Sequence, residues 1–434
     1  MWPKPCNTDA RCLSNESTDE LADLLNGRQD VAAQHALGSR FAWLWAAYAV
    51  STFGTWFAFD AFSLIAVIVL HATPAAVSAL AAAGMAAGAV AAIPLGSWIE
   101  YRRKRPVMIA MDLVRFGALM TVPVAFALGR LSFAQLLAVS VVTAAADITF
   151  TAASGAYLKS LVRRDQLLAA NGRFESTTWT ATMLGPPIGG FAIGLLGPAT
   201  TVAANAISYL LSAVGIRAIG DMETPPVHAK ARKPGLADLL EGWRAILAHP
   251  TLRLLFFNNI LVSGLIMGTA PLMAALMLGQ LGFAPWQYGL AFAAPCVGGL
   301  IGSRLAQSLA ARFGQRRIIL VAGTLRACWS IGLAFVHPGT SGLVLVILVQ
   351  FGLVTCMGLF NPILASARLE QCAPDRVARV LSAWSVTSKA TIALTTAVWG
   401  LLAGFTGARA AIAIAGVLML GTPFLLPRRD HADA

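Results

Sequence analysis

The chain has 434 residues, 57% of them hydrophobic and 12% charged, with a mean hydropathy of +0.70. A soluble globular chain carries about 25% charged residues, so this one has too few polar groups to cover its apolar surface and reads as an all-α polytopic membrane protein. The net charge of +12 does not point to nucleic acid, because the cations sit in short loops beside apolar runs and not in an aromatic-interleaved patch.

Residues 1–41 read as a polar cytoplasmic tail. Ser17, Thr18, Asp19 and Glu20 have capping-box spacing ahead of Leu21, Leu24 and Leu25, which fits a short amphipathic helix or a partly ordered tail. A polar start predicts no cleavable signal peptide, leaving the first span to act as the targeting signal. The six cysteines (Cys6, Cys12, Cys296, Cys328, Cys356, Cys372) show no CxxC spacing, so neither a metal site nor redox chemistry is expected.

A helix crosses the hydrocarbon core with about 20 apolar residues. On that length the sequence predicts twelve spans. The first six fall at 42–70, 76–99, 106–128, 133–158, 171–195 and 199–219. The second six fall at 252–279, 286–309, 317–336, 341–366, 378–404 and 408–427. Two six-helix bundles, 42–219 and 252–427, are thus expected, with a central cytoplasmic loop at 220–251 and a short cytoplasmic tail at 428–434. In the loop, Leu236, Leu239, Leu240, Trp243, Ile246 and Leu247 share one helical face, and Asp238, Glu241 and Arg244 the other. That pattern predicts an interfacial helix along the cytoplasmic leaflet. Of the 32 Lys and Arg residues, 27 fall on one side of this topology, only Arg130 and Arg409 on the other, and Arg115, Arg326 and Lys389 inside spans. The bias places both termini in the cytoplasm.

The densest cationic stretch lies at 96–115. Gly96 and Glu100 precede Arg102, Arg103, Lys104 and Arg105, and Asp112 and Arg115 follow inside the next span. Adding 211 moves this hairpin onto 307–326, with Arg105 on Arg316 and Arg115 on Arg326. Glu100 then meets Ala311, Tyr101 meets Arg312 and Arg103 meets Gly314. Within a residue of the same register, Gly190, Gly194 and Gly197 meet Gly400, Gly404 and Gly407. Parallel repeats of this kind place a substrate site near the midplane between the halves.

The loop pattern G-x-x-x-[D/E]-x-x-x-[RK]-[RK] and its second copy resemble the signature of the major facilitator superfamily. Asp112-x-x-Arg115, LVRRDQLLAANGRFES and LLEGWRAILAHPTLR resemble the exporter branch that includes macrolide-efflux and enterobactin-export permeases. The resemblance covers roughly 41–427. It departs where the family Asp is Glu100, the following Arg is Tyr101, and the Gly of the second copy is Gln307; Arg102 is expected to supply the cation that Tyr101 lacks. It implies that spans 1, 4, 7 and 10 line the cavity, and that Glu100 with the cations of 102–105 binds helix ends and acids of the opposite half when the cytoplasmic side is shut. In span 5, Gly172, Gly185, Pro186, Gly189 and Gly190 are similar to a glycine-and-proline motif of family antiporters, which implies export. Mere close packing of helices is the other reading.

An ionisable group inside a span is costly and is a functional hypothesis by default. The first half has Asp60, Asp112, Asp147 and Glu175; the second has no mid-span acid. Phe53, Trp56, Asp60 and Ser63 recur at helical spacing. Because the resemblance implies that spans 1 and 4 line the cavity, Asp60 and Asp147 are the best proton or cation sites, against the alternative of a structural pair with Lys389 or another buried cation. Glu175 is a further candidate, with a solvated pair to Arg173 as its other reading. Asp112 and Arg115 are expected to close the cytoplasmic charge network. Asn258 and Asn259 suit either cavity polarity or helix–helix hydrogen bonding.

The resulting expectation is a proton-coupled exporter of a small amphipathic organic molecule, monomeric in the cell membrane, working by rocking of two halves and using no cofactor. An importer or uniporter of the same fold is the alternative. A membrane sensor or enzyme has less support, since no span carries metal-ligand spacing or a nucleophile beside a base.

Overall fold

The structure, a computed structural model, describes residues 37–59, 61–70, 80, 84, 86–90, 93–95, 98–220 and 240–427. The expected helix of the N-terminal tail, the start of the interfacial helix, Asp60, Gly96 and most of the second span lie outside the described residues.

Span 1 is formed by α1 (Gly38–Phe57) and α2 (Ala61–Ile68). Spans 3 to 6 are α3 (Lys104–Ala127), α4 (Phe133–Leu161), α5 (Leu167–Leu196) and α6 (Pro198–Ala218). The short α7 (Glu241–Ala248) follows the central loop. Span 7 is α8 (Pro250–Ala274), continued by a π turn, Ala275–Gln280, that begins four residues after Pro271. Span 8 is broken into α9 (Pro285–Ala293) and α10 (Cys296–Phe313) at Pro295, where the ring removes a backbone donor. Spans 9 to 12 are α11 (Gln315–Trp329), α12 (Thr340–Gln371), α13 (Val377–Thr406) and α14 (Ala408–Leu420). Ten helical runs are long and apolar enough to cross a membrane among the described residues. Their ends fall within a few residues of those the hydropathy predicts, and all regular elements described are helical.

The duplication is visible in local geometry. α6 and α14 each start directly after a glycine with positive φ, Gly197 at 81° and Gly407 at 86°. A side chain would strain both positions. It is visible again in packing. α1 packs on α5 and α6, and α3 on α4 and α6; α8 packs on α13 and α14, and α11 on α12. Between the halves, α4 packs on α13 just as its counterpart α12 packs on α5, and α5 also packs on α10.

The apolar cores show where the halves meet. One continuous buried cluster runs from Phe41, Met108, Tyr157 and Leu168 of the first half to Leu252, Phe360, Val377 and Trp384 of the second. It lies at the end that carries the basic loops. Towards the other end the cores are separate: Val122, Leu136 and Tyr209 belong to a cluster of first-half residues, and Leu272, Val346 and Ile412 to one of second-half residues. Burial of apolar area is the main stabilising term in such packing only where water would otherwise reach it. The shared cluster therefore closes the basic end, and the protein is an all-α bundle of two six-helix repeats joined most extensively at that end, with a small further cluster of Ala89, Ile148 and Val386.

Candidate functional site

Halfway along α4, the carboxylate of Asp147 stands between two cations. The Lys389 ammonium, on α13 of the opposite half, donates to Oδ2 at 2.8 Å, and Arg115 on α3 donates to Oδ1 at 3.5 Å. The side chains of Asp147 and Lys389 are 48% and 29% exposed. An ion pair so exposed at mid-depth belongs in a water-reachable cleft, because hydrocarbon would not tolerate it. Arg115 is fixed: it donates to Asp112 at 2.5 Å, and its guanidinium lies 4.5 Å from the Phe150 ring centre and 4.2 Å from that of Tyr209. Asp112 is fully buried. Thus Asp112 and Arg115 join the mid-depth cluster and not the expected loop network; they lie about two to three turns into α3, away from the basic loop.

The structural-pair alternative for Asp147 is the geometry found. The expected solvated pair of Glu175 with Arg173 is not: Glu175 Oε1 accepts from Trp179 Nε1 at 2.9 Å and from Asn361 Nδ2 at 2.8 Å, the latter across the halves. Arg173 turns instead towards the Phe41 ring. Ser176 and Ser303 share a hydrogen bond of 2.7 Å nearby, and Asn171 donates to Ser366 at 3.0 Å. All four links lie at mid-depth or towards the basic end.

At the basic end the loop between spans 2 and 3 meets the start of α13. Glu100 Oε2 accepts from the backbone N–H of Arg379 at 3.2 Å. That N–H is one of the unpaired donors of the first turn of α13, where the helix dipole favours an anion. Burial pushes the Glu100 carboxyl up to about 7, against the opposing pull of Lys104 and Arg379. The Arg379 side chain reaches back, donating to the Tyr101 hydroxyl at 2.8 Å and pairing with Glu241 of α7. α7 is docked on α13: Trp243 Nε1 donates to Thr387 at 2.8 Å, while Gly242 and Ile246 are buried. The helix predicted to lie on the leaflet is thus tied to the second half.

Lys104 and Arg105 bond to carbonyls of their own half: Lys104 donates to those of Ile99, Glu100 and Arg102, and Arg105 to those of Ile216 and Arg217 at the end of α6. Both cap helix ends. Arg102 and Arg103 are exposed, with Arg102 over Trp98. The cation opposite Tyr101 is therefore Arg379 and not Arg102. Arg316 is exposed at the start of α11.

Arg326 is buried, lies 3.6 Å from the Phe360 ring centre, and donates to Asn258. Asn258 in turn donates to the Thr422 carbonyl at 2.8 Å and is fully buried. It serves helix–helix bonding within the second half, the alternative to a cavity role; Asn259 is half-buried. In α5, a methyl on Gly185 or Gly189 would overlap Trp56 or Phe57 of α1, and one on Gly172 would sit 3.2 Å from the Ser303 carbonyl of α10. Pro186 lies between the first two within an unbroken helix, and Gly190 faces open space. The motif packs α5 tightly on α1. Phe53 and Trp56 are half-buried, Trp56 stacking on Phe59 at 5.1 Å; the side chains of Asp60 and Ser63 lie outside the described residues.

Lys389, Arg379, Glu241 and Asn361 were not singled out as site residues from sequence. Lys389 carried the one available signal, a cation in the middle of a second-half span.

The Major Facilitator Superfamily profile matches residues 44–367 and, separately, 255–434. The multidrug efflux pump Tap of Mycolicibacterium fortuitum is 26% identical over 282 residues, covering 63% of this chain and 68% of that protein. Among solved structures, a bacterial homologue of the iron transporter ferroportin in an outward-facing state aligns with a TM-score of 0.75 and 15% identity, over 89% of this chain and 98% of that one. The human organic anion transporter MFSD10 aligns with a TM-score of 0.69 and 16% identity, over 89% of this chain and 99% of that one. At these identities the structural likeness is one of fold. With the repeated packing and the profile match over most of its length, the chain belongs to the Major Facilitator Superfamily and is a multi-pass membrane transporter, not an enzyme.

Proposed function

We propose that the protein is a proton-coupled exporter of a small amphipathic organic molecule, monomeric in the cell membrane, with both termini and the basic loops in the cytoplasm. The observation that carries this reading is the large apolar core shared by the halves at the basic end, with a small contact of Ala89 and Ile148 with Val386 besides it and separate cores beyond. On the charge bias of the loops that end is cytoplasmic, so the cleft opens outward. Similarity to an efflux pump supports the direction. Bundle boundaries at 42–219 and 252–427 are those the duplication implies.

In this reading Glu100 on the first turn of α13 is the cytoplasmic latch, and the Asp147–Lys389 pair is the innermost bridge between the halves. A proton on Asp147 removes the charge that holds Lys389, biasing the rocking equilibrium of the halves. Asp60 and Glu175 remain further proton carriers, and Trp179 and Asn361 tie Glu175 into the same interface.

The test is efflux from oriented vesicles under an imposed pH gradient. Doubling Asp60→Asn with Asp147→Asn is expected to abolish the response to the gradient. Undiminished gradient-driven efflux in the double variant refutes the coupling. Inward accumulation of ligand refutes export and leaves an importer or uniporter.

A further inference from the structure

The mid-depth cluster is unequal in a way that selects the charge of the cargo. Asp147 has two cationic partners, and Arg115 cannot leave it: that guanidinium is buried, bonded to Asp112 and held between two aromatic rings. Lys389 has Asp147 as its ion-pair partner among the described residues. The second half offers nothing else, since Glu370 and Asp375 are the only acids of 250–427 and both lie at the basic end. Glu175 is engaged by Trp179 and Asn361. When the halves part at this depth, Asp147 keeps Arg115, whereas Lys389 loses the one ion-pair partner it has among the described residues. An ammonium released at mid-depth, where water reaches it only through the cleft, is a ready partner for a second anion.

We infer that Lys389 is the substrate-charge site and that the cargo is an organic anion, its carboxylate or sulfonate replacing Asp147 on the ammonium. An organic cation would have to compete with two resident cations for one carboxylate. An anion meets a partner that the moving bridge has just released. Asp147 then acts as the stand-in for the substrate, reclaiming Lys389 when the anion leaves. This rests on the transporter reading above and assigns the chemistry of its cargo.

The test uses the full chain in proteoliposomes with three permanently matched aromatic probes: naphthalenesulfonate, neutral naphthylacetamide and a naphthylmethyl-trimethylammonium salt. Empty liposomes give the background, and flux is followed in both directions by probe fluorescence. The expected result is carrier-dependent flux of the sulfonate, lowered at least about tenfold by Lys389→Met and largely recovered by Lys389→Arg. Asp147→Asn, which frees the ammonium, is expected to tighten sulfonate binding in equilibrium titrations. Flux of the quaternary ammonium in preference to the sulfonate overturns the inference while leaving the transporter reading intact. So does sulfonate flux that Lys389→Met leaves unchanged. Sulfonate flux in the importing direction supports the site and overturns export. Flux of none of the three overturns the inference for aromatic cargo of this size, and a proton current that persists under those conditions shows that the transporter reading has not failed with it.

Discussion

The two halves solve the same problem differently. Each buries an arginine at the same repeat position, Arg115 and Arg326, against a phenylalanine of the fourth helix in its half, Phe150 and Phe360. In the first half two carboxylates answer the charge. In the second, the place of Asp112 falls on Gly323 and, in the register that sets Phe150 on Phe360, that of Asp147 falls on Met357, and a side chain on Gly323 would crowd Leu426 at 2.8 Å and Phe360 at 3.2 Å. Arg326 is left with an amide oxygen and a ring. The lesson is that the second arginine is a structural remnant enclosed by its own bundle, whereas the first is the root of a chain of charges that leads through Asp147 to Lys389 and so to the other half.

The largest expected effect breaks that comparison directly. Arg115→Met strands Asp112, which has no other cation bonded to it among the described residues. Removing one partner of a buried pair costs about 3–5 kcal/mol. Arg326→Met loses one amide hydrogen bond, worth about 0.6 kcal/mol in a helical membrane protein. Thermal unfolding in detergent is expected to show a large drop for the first and a small one for the second, with Asp112→Asn recovering much of the loss in Arg115→Met. Equal losses would mean that the second half depends on its arginine as the first does.

The loops are unequal in the same sense. Glu100 reaches the first turn of α13, whereas its repeat mate Ala311 has no group to offer α5, and Gln307 is exposed. Losing a helix-capping oxygen acceptor, which the neutral carboxyl also supplies, costs about 1 kcal/mol, a factor of about five in an equilibrium. Glu100→Ala is therefore expected to lower the closed fraction of the basic end about fivefold, read as spin-label distances across that end in nanodiscs; Gln307→Ala is expected to leave it within about twofold. A pH titration sharpens the point. Burial raises the Glu100 carboxyl to about 7 in the closed end, from 4.5 in water. The closed state thus binds the proton more tightly, closure is strongest below pH 4.5, and it weakens as pH rises through 7, by up to about 300-fold if no other group compensates. Lys104, Arg379 and Asp375 are the charges that act on Glu100. Glu100→Gln should flatten the profile, and an unchanged slope in that variant would remove Glu100 from the latch.

Much of this architecture is legible in the chain because hydropathy and loop charge act locally. Span ends, the doubled hairpin and the Gly197–Gly407 correspondence needed no knowledge of which faces meet. What could not be read was partnership. Lys389 and Asp147 are 242 residues apart, and a mid-span cation is equally compatible with any of the four acids on spans 1, 3, 4 and 5. Asn258 looked like cavity lining because an amide in an apolar helix carries the same signal whether it faces water or Arg326. The break of span 8 at Pro295 and the docking of Glu241 on Arg379 depend on neighbours that periodicity does not reveal.

The smallest effect concerns the residue by which this loop departs from its relatives. Tyr101 stands where the resemblance expects arginine, and the cation comes instead from Arg379 of the opposite half, whose guanidinium bonds the hydroxyl at 2.8 Å and lies 5.3 Å from the ring centre. Tyr101→Phe keeps the ring and removes the acceptor, so it is expected to weaken closure by about 1 kcal/mol, a few-fold change in the same distance measurement. Tyr101→Arg sets two guanidiniums against each other and should weaken it more, although it restores the family residue. If Tyr101→Arg closes the basic end better than the tyrosine, then Arg379 is not the partner of this position. The first loop would then work as its relatives' loops are expected to, through its own cations, and its difference from the second loop would rest on Glu100 alone.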